Sequence, residues 1–298
     1  MGSLAEQLAF LFSPILVGVL VRRLGLRSLF WFLGVLTTWV ILPLLAFVYV
    51  GGLTPRDIVT FSGAMVLAVV GVAACFFAVL PLTFSLSKEE GAAMVLNSSF
   101  MNVAHLGLPV VYAKLGFEYM APAVLYSVTV AVLNLFLGTL LMHLLISRTP
   151  SLRHIFAQTF TFPAVALLLL ALLLVYLHAP LPQDFRGFFS KWISPCFLLI
   201  LLLQVGYHLR IEASRKYAKH VPAVGLARFV LCPLVTVATC HLLGLKSELL
   251  TRPALYLSMM PPAFFNLILA QSLGLDPRPY SLVLFSLTLL SFPLFLLL

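Results

Sequence analysis

The sequence is poor in charge. Lys, Arg, Asp and Glu make up 9% of the chain, and only nine residues are acidic. Ordinary soluble domains carry ~25% charged residues, so a water-facing surface all round is excluded, and no soluble core could hide a 62% hydrophobic content. The nine acids (Glu6, Asp57, Glu89, Glu90, Glu118, Asp184, Glu212, Glu248, Asp276) fall in or beside expected loops. None is expected deep in a helix, where pumps and proton relays place their carboxylates. Cysteine is scarce as well. Cys75, Cys196, Cys232 and Cys240 sit in apolar segments without metal-ligand spacing, which argues against a disulfide framework and reads as small buried hydrophobes. The chain has no H-E-x-x-H motif, no paired acids within an apolar run and no stripe of basic and aromatic residues. An intramembrane enzyme, a metal site, a cofactor and a nucleic-acid partner are therefore not expected.

Long apolar runs fill the space that charge leaves. A helix needs ~20 apolar residues to span the hydrocarbon core. Ten candidates lie at about 6–21, 29–50, 58–82, 91–113, 119–147, 161–178, 187–209, 221–243, 252–274 and 279–298. The runs are continuous rather than alternating, which excludes a β-barrel. The first run is read as a helix and not a signal peptide, because its basic pair, Arg22 and Arg23, follows the apolar stretch. The odd-numbered loops carry eleven basic residues (Arg22, Arg23, Arg27, Lys88, Arg148, Arg153, Arg210, Arg215, Lys216, Lys219, Arg278), whereas the even-numbered loops carry six (Arg56, Lys114, Arg186, Lys191, Lys246, Arg252). The positive-inside rule puts the odd loops in the cytoplasm and both termini outside, as expected of a multi-pass protein of a bacterial inner membrane. The net charge of +9 then needs no partner beyond membrane lipids.

Two polar, kinked stretches interrupt the greasy helices. The first runs from Asn97 through Ser98, Ser99, Met101, Asn102, His105 and Gly107 to Pro109; the second runs from Met259 through Pro261 and Pro262 to Asn266. In hydrocarbon every backbone polar group needs a partner, so broken backbone is tolerated only against protein or a wet cavity. Two such breaks, roughly half a chain apart, are the sequence sign of a substrate site in a secondary transporter.

The halves also echo each other. Leu115-Gly116-Phe117-Glu118 followed by Tyr126-Ser127-Val128-Thr129 resembles Leu273-Gly274-Leu275-Asp276 followed by Phe285-Ser286-Leu287-Thr288, and Trp39 with Pro43 matches Trp192 with Pro195. Ten helices then divide into residues 1–147, a cytoplasmic linker at 148–160, and residues 161–298. Five helices per half make the second half enter the membrane the other way up. The expected fold is all-α, with two inverted five-helix repeats and equivalent broken helices 4 and 9.

At these residues the chain resembles the auxin efflux carrier family, which includes plant auxin carriers and bacterial malate and malonate permeases. Asn102-Val103-Ala104-His105-Leu106-Gly107-Leu108-Pro109 looks like its Asn-x-x-x-x-Gly-x-Pro signature. Met260 to Asn266, with Ala270 and Leu273 to Asp276, resembles its second crossover segment. Arg228-Phe229 with Pro233 resembles its run in helix 8. The weaker matches, Pro14 with Arg22 and Arg23 and the pair Leu42-Pro43, suit helices 1 and 2. The resemblance implies scaffold and transport parts, an elevator-like cycle, and a substrate site where helices 4 and 9 cross. Met101 stands where the family carries Pro or Gly, which leaves open how sharply helix 4 unwinds. The bile-acid-symporter architecture, coupled to sodium, is the alternative within the class. A membrane sensor on the same scaffold is a second, for whose soluble output domain 298 residues leave no room.

The candidate substrate-binding residues are Asn102, Asn266, Pro261, Pro262, His105, Gly107, Ser98, Ser99 and Met101. A buried amide either orients a carboxylate or glues helices together. The prolines and Gly107 act on the backbone, each proline freeing a carbonyl four residues back. A half-helix starting after a break presents free N–H groups and ~+0.5 charge, so two of them could hold an anion without a lysine. His105 is either a proton-coupling group or a satisfied core histidine. Arg228, about two turns into helix 8, is expected to snorkel to the cytoplasmic face, with attraction of the anion as the second reading. Ser127, Thr129, Asn134, Gln204, Ser258, Gln271 and Ser286 are weaker lining candidates. The sequence thus reads as a secondary transporter of a small organic anion, with a homodimer as a candidate assembly.

Overall fold

The computed structural model describes residues 4–145, 151–209 and 215–297. Among them the chain forms helices α1 (Leu4–Val21), α2 (Arg27–Val50), α3 (Pro55–Thr83), α4 (Lys88–Ser99), α5 (Val103–Leu115), α6 (Phe117–Leu144), α7 (Leu152–Phe160), α8 (Pro163–Tyr176), α9 (Gln183–His208), α10 (His220–Leu242), α11 (Glu248–Ser258), α12 (Phe264–Ser272) and α13 (Arg278–Leu297). Seven of these are long and apolar enough to cross a membrane, and α7 with α8, bent by 55° at their junction, would make an eighth. The two remaining expected spans are each split: α4 from α5, and α11 from α12. Residues 152–160 of the expected linker are helical.

Helix ends follow local chemistry. Thr54 and Asp57 form a reciprocal capping box before α3, with Pro55 at its first position. Ser87 caps α4 by accepting from the Glu90 N–H at 3.3 Å. Four helices contain a wide π turn that ends two residues before a proline: Thr37–Ile41 before Pro43, Val103–Gly107 before Pro109, Phe189–Ile193 before Pro195, and Ala227–Leu231 before Pro233. A proline ring clashes with the carbonyl four residues back, and a turn bonded five residues back moves that carbonyl aside. The matching Trp39 and Trp192 both lie within such turns.

The helices pack in two groups. α1 lies along α9, and α8 lies along the second half of α2; α3 packs on α6, α10 and α11. α1 and α9 approach closely through two glycines. A Cβ on Gly18 would stand 2.2 Å from the Leu203 carbonyl oxygen, and one on Gly206 would stand 2.0 Å from that of Ile15. Small residues permit such backbone contact, which dispersion then stabilises. The groups meet where α9 and α1 touch α5 and where α2 touches α6. Large apolar side chains including Trp31, Trp39, Phe77, Leu169, Trp192 and Leu234 are exposed, as a lipid-facing perimeter requires. Cys75 and Cys232 are buried as expected, but Cys196 is exposed.

Candidate substrate site

The two splits meet each other. α4 stops at Ser99 because Phe100 turns extended (φ −106°, ψ 125°). α11 stops at Ser258, ahead of Pro261 and Pro262; a proline pushes the residue before it into extended backbone. Met101 and Pro262 pair antiparallel. The Asn102 N–H donates to the Pro261 carbonyl at 2.8 Å, and the Ala263 N–H donates to the Phe100 carbonyl at 2.8 Å. Each break thus satisfies part of the other, and the prolines bring no N–H to strand. Helix 4 unwinds fully although Met101 replaces the family's Pro or Gly. Its extended residues are held by the partner strand and need no helix breaker of their own.

This crossing has two faces. On one, the first turns of α5 and α12 border a narrow cavity, to which Asn102, His105 and Phe264 contribute. The first N–H groups of each helix have no intrahelical acceptor, so this face carries the positive dipole ends. Gln204 and His208 of α9 and Thr288 of α13 complete the polar lining. Asn102 is buried, yet its amide, like the His105 imidazole, has no hydrogen-bond partner among the described residues. The Thr288 hydroxyl is buried without a partner. Gln204 is held by its Nε2, which donates to Thr37 Oγ1. The His208 ring stacks on Phe264, centroids 4.3 Å apart. The free volume is about 20 Å³, room for a water-sized group but not for an organic acid.

On the other face the C-terminal ends of α4 and α11 converge on Arg228. Its guanidinium is wholly buried (0% exposed). Nη1 donates to the Ser98 carbonyl at 3.3 Å, Nη2 to the Ser258 carbonyl at 2.6 Å, and Nε to the Met260 carbonyl at 3.1 Å. Cys75 Sγ at 3.6 Å and Met101 Sδ at 3.1 Å complete its surroundings. The expectation that Arg228 snorkels to the membrane face is therefore corrected. Carbonyls released by the breaks give its donors acceptors inside the protein, which removes the reason to reach for water.

Of the other expected residues, Asn266 does not line the cavity. It is 0% exposed; its Oδ1 accepts from Asn134 Nδ2 at 3.0 Å, and its Nδ2 donates to the Leu96 carbonyl at 3.0 Å and to Asn97 Oδ1 at 3.3 Å. It braces α12 against α4 and α6. Ser98 and Ser99 are buried on α4, their hydroxyls without partners. Gly107 lets α5 approach α11, since a Cβ there would lie 2.5 Å from Leu257 Cδ2. Met101 faces Arg228. Pro261 and Pro262 form the crossing strand. Asn102 and His105, with Gln204 of the weaker lining candidates, are thus the expected residues that reach the cavity. His208, Phe264 and Thr288 were not singled out by the sequence. Thr288 could have been, since it repeats Thr129 of the first half.

Two carbonyl-rich helix ends on a cation, and two N–H-rich ends on a cavity, make an arrangement that favours negative charge in the cavity. A family model described as membrane transport protein matches residues 32–298. Among curated proteins, none matches the chain.

Proposed function

The chain belongs to the membrane transport protein family, that of the auxin efflux carriers, and on that premise we propose that it is a secondary transporter moving a small organic anion, a mono- or dicarboxylate, across the membrane. The observation that carries this reading is the pair of half-helix N-termini, α5 and α12, bordering one cavity that also holds the unpartnered Asn102 amide. Peptide N–H groups and an amide bind a carboxylate without a basic side chain.

Counting each broken or bent pair as one crossing gives ten passes, which two inverted five-helix repeats would generate, with both termini on the outer side. α1, α2, α8 and α9 then serve as scaffold, and the remaining crossings carry the substrate in an elevator-like cycle. The cavity supports that reading because its lining comes from both groups: Gln204 and His208 from the scaffold, Asn102, His105 and Thr288 from the moving part. Its present volume is that of a closed state, so loading requires the groups to separate. Membership of a transporter family argues against an enzyme.

The test is uptake into proteoliposomes of radiolabelled malonate, malate, succinate and indole-3-acetate. Saturable uptake of at least one, competed by its unlabelled acid and not by its amide, is expected. Uptake of none above protein-free vesicles would sink the reading.

A further inference from the structure

We propose that the far face of the crossing is a cation site whose occupant is the chain's own Arg228, so that the carrier works without a symported cation. The inference rests on the transport reading and adds to it the mode of coupling.

Carbonyl groups at the ends of interrupted helices are where secondary transporters hold coupling cations. Here such ends come from two helices at once. Ser98 lies in the last turn of α4, while Ser258 and Met260 lie at and just beyond the end of α11. Their carbonyl oxygens all accept from Arg228. Each helix end carries the negative pole of its dipole, and two such poles facing one another in a buried site repel unless something positive lies between them. Among the described residues no Asp or Glu forms an ion pair with Arg228. The balancing negative charge is therefore that of the peptide dipoles.

Guanidinium suits this role because it remains charged at any working pH and its fork spreads donors over several acceptors. Hydrogen bonding alone could be met by a neutral amide or by water without burying an ion; a permanent charge does something those cannot. It neutralises the two C-terminal poles and leaves the opposite face of the crossing positive, with no need to recruit an ion in each cycle. Arg228 is anchored to α4 and α11, so it travels with the crossing.

Removing the guanidinium leaves three converging carbonyl oxygens and a space. Sodium, which unwound backbone carbonyls and half-helix C-terminal ends coordinate in secondary transporters, is the cation chemistry that fits. The experiment compares purified full-length wild type, Arg228→Ala and Arg228→Lys in NaCl and in choline chloride of equal ionic strength. The first readout is the thermal unfolding midpoint, which needs no substrate. Wild type and Arg228→Lys are expected to unfold at the same temperature in both salts, and Arg228→Ala several degrees higher in NaCl. The second is uptake of whichever carboxylate in the panel above the wild type moves. It should be salt-independent in wild type, depressed at least about tenfold in Arg228→Ala in choline, and restored in part by Na⁺.

Sodium-dependent stability or uptake in the wild type overturns the proposal, as does an Arg228→Ala protein indifferent to sodium. If Arg228→Ala cannot be purified in either salt, Arg228→Ser, which also leaves the carbonyls and the space, is measured by the same criterion. Should no carboxylate be moved, the transport reading fails alone, and the unfolding midpoints still decide whether the site is a cation site.

Discussion

Asn102 and Arg228 lie on opposite sides of one pair of extended residues, Met101 and Pro262, and their environments differ in kind. The Arg228 donors are met by three carbonyls and two sulfurs; the Asn102 side chain has no partner. Its amide borders the cavity with no protein group to bond, so a ligand there gains it as a hydrogen-bonding partner. Replacing Asn102 by Ala should therefore leave the unfolding midpoint near that of wild type while lowering carboxylate uptake at least about tenfold, or ~1.4 kcal/mol. Asn266→Ala should behave in the opposite sense. It removes bonds to Asn134, Leu96 and Asn97, and thermal unfolding in detergent should show a loss of about 2–3 kcal/mol. The sequence could not separate these two asparagines. Both follow a break in an apolar helix, and only the neighbours brought by α4 and α6 show that Asn266 is a brace. Arg228 was misjudged for a related reason. An arginine in an apolar run is weighed against lipid, whereas its acceptors come from residues 130 and 30 positions away.

At the scale of elements, the breaks themselves were legible, because adjacent prolines and amides have few other uses inside a membrane helix. The pairing of the breaks was not, since it depends on backbone groups that every residue carries. The close seam between α1 and α9 was also hidden: Gly18 and Gly206 sit in different runs, and no pattern joins them. That seam gives a direct test. Gly206→Val places a Cβ against the Ile15 backbone, and neither helix can yield without losing the whole contact. Stability should fall by about 3 kcal/mol, read by thermal unfolding, while Gly225→Ala, which meets a flexible Leu287 side chain at 3.2 Å, should be far milder. A second element-scale link titrates. Asp276, in the loop between α12 and α13, accepts from Arg278 Nε at 2.8 Å and from Tyr217 Oη at 2.9 Å. The Arg278 guanidinium holds its carboxyl down at about 2, below the ordinary carboxylate value of ~3.9. A depressed folded pKa means stability that is complete above the unfolded value and lost as pH falls through the folded one. The difference in unfolding midpoint between wild type and Asp276→Asn should accordingly hold constant above about pH 5 and shrink between about pH 4 and pH 2. A gap that widened with acid would contradict the assignment.

For the whole molecule, the apolar spans were readable one by one, but their sorting into two groups was not. Helices apolar all round give no sign of which neighbour they face, and the division of α1, α2, α8 and α9 from the rest emerges from contacts alone. That division makes a demand on function. On the proposed transport reading, a cavity of about 20 Å³ whose walls belong to both groups has to open by their relative movement to admit an organic acid. An opening to one side only would give a binding protein; transport requires openings to both in turn. His105→Cys, in a background with Cys196 and Cys240 replaced by Ser, places a thiol on the cavity wall contributed by α5. A membrane-impermeant thiol reagent should modify it from either side of a sealed vesicle, at rates that fall when the transported carboxylate is present. Lys246→Cys, in the exposed loop between α10 and α11, should be modified without such protection. Modification of His105→Cys from one side alone, under both outward and inward substrate gradients, would leave the cavity a blind pocket and the moving-part reading without support.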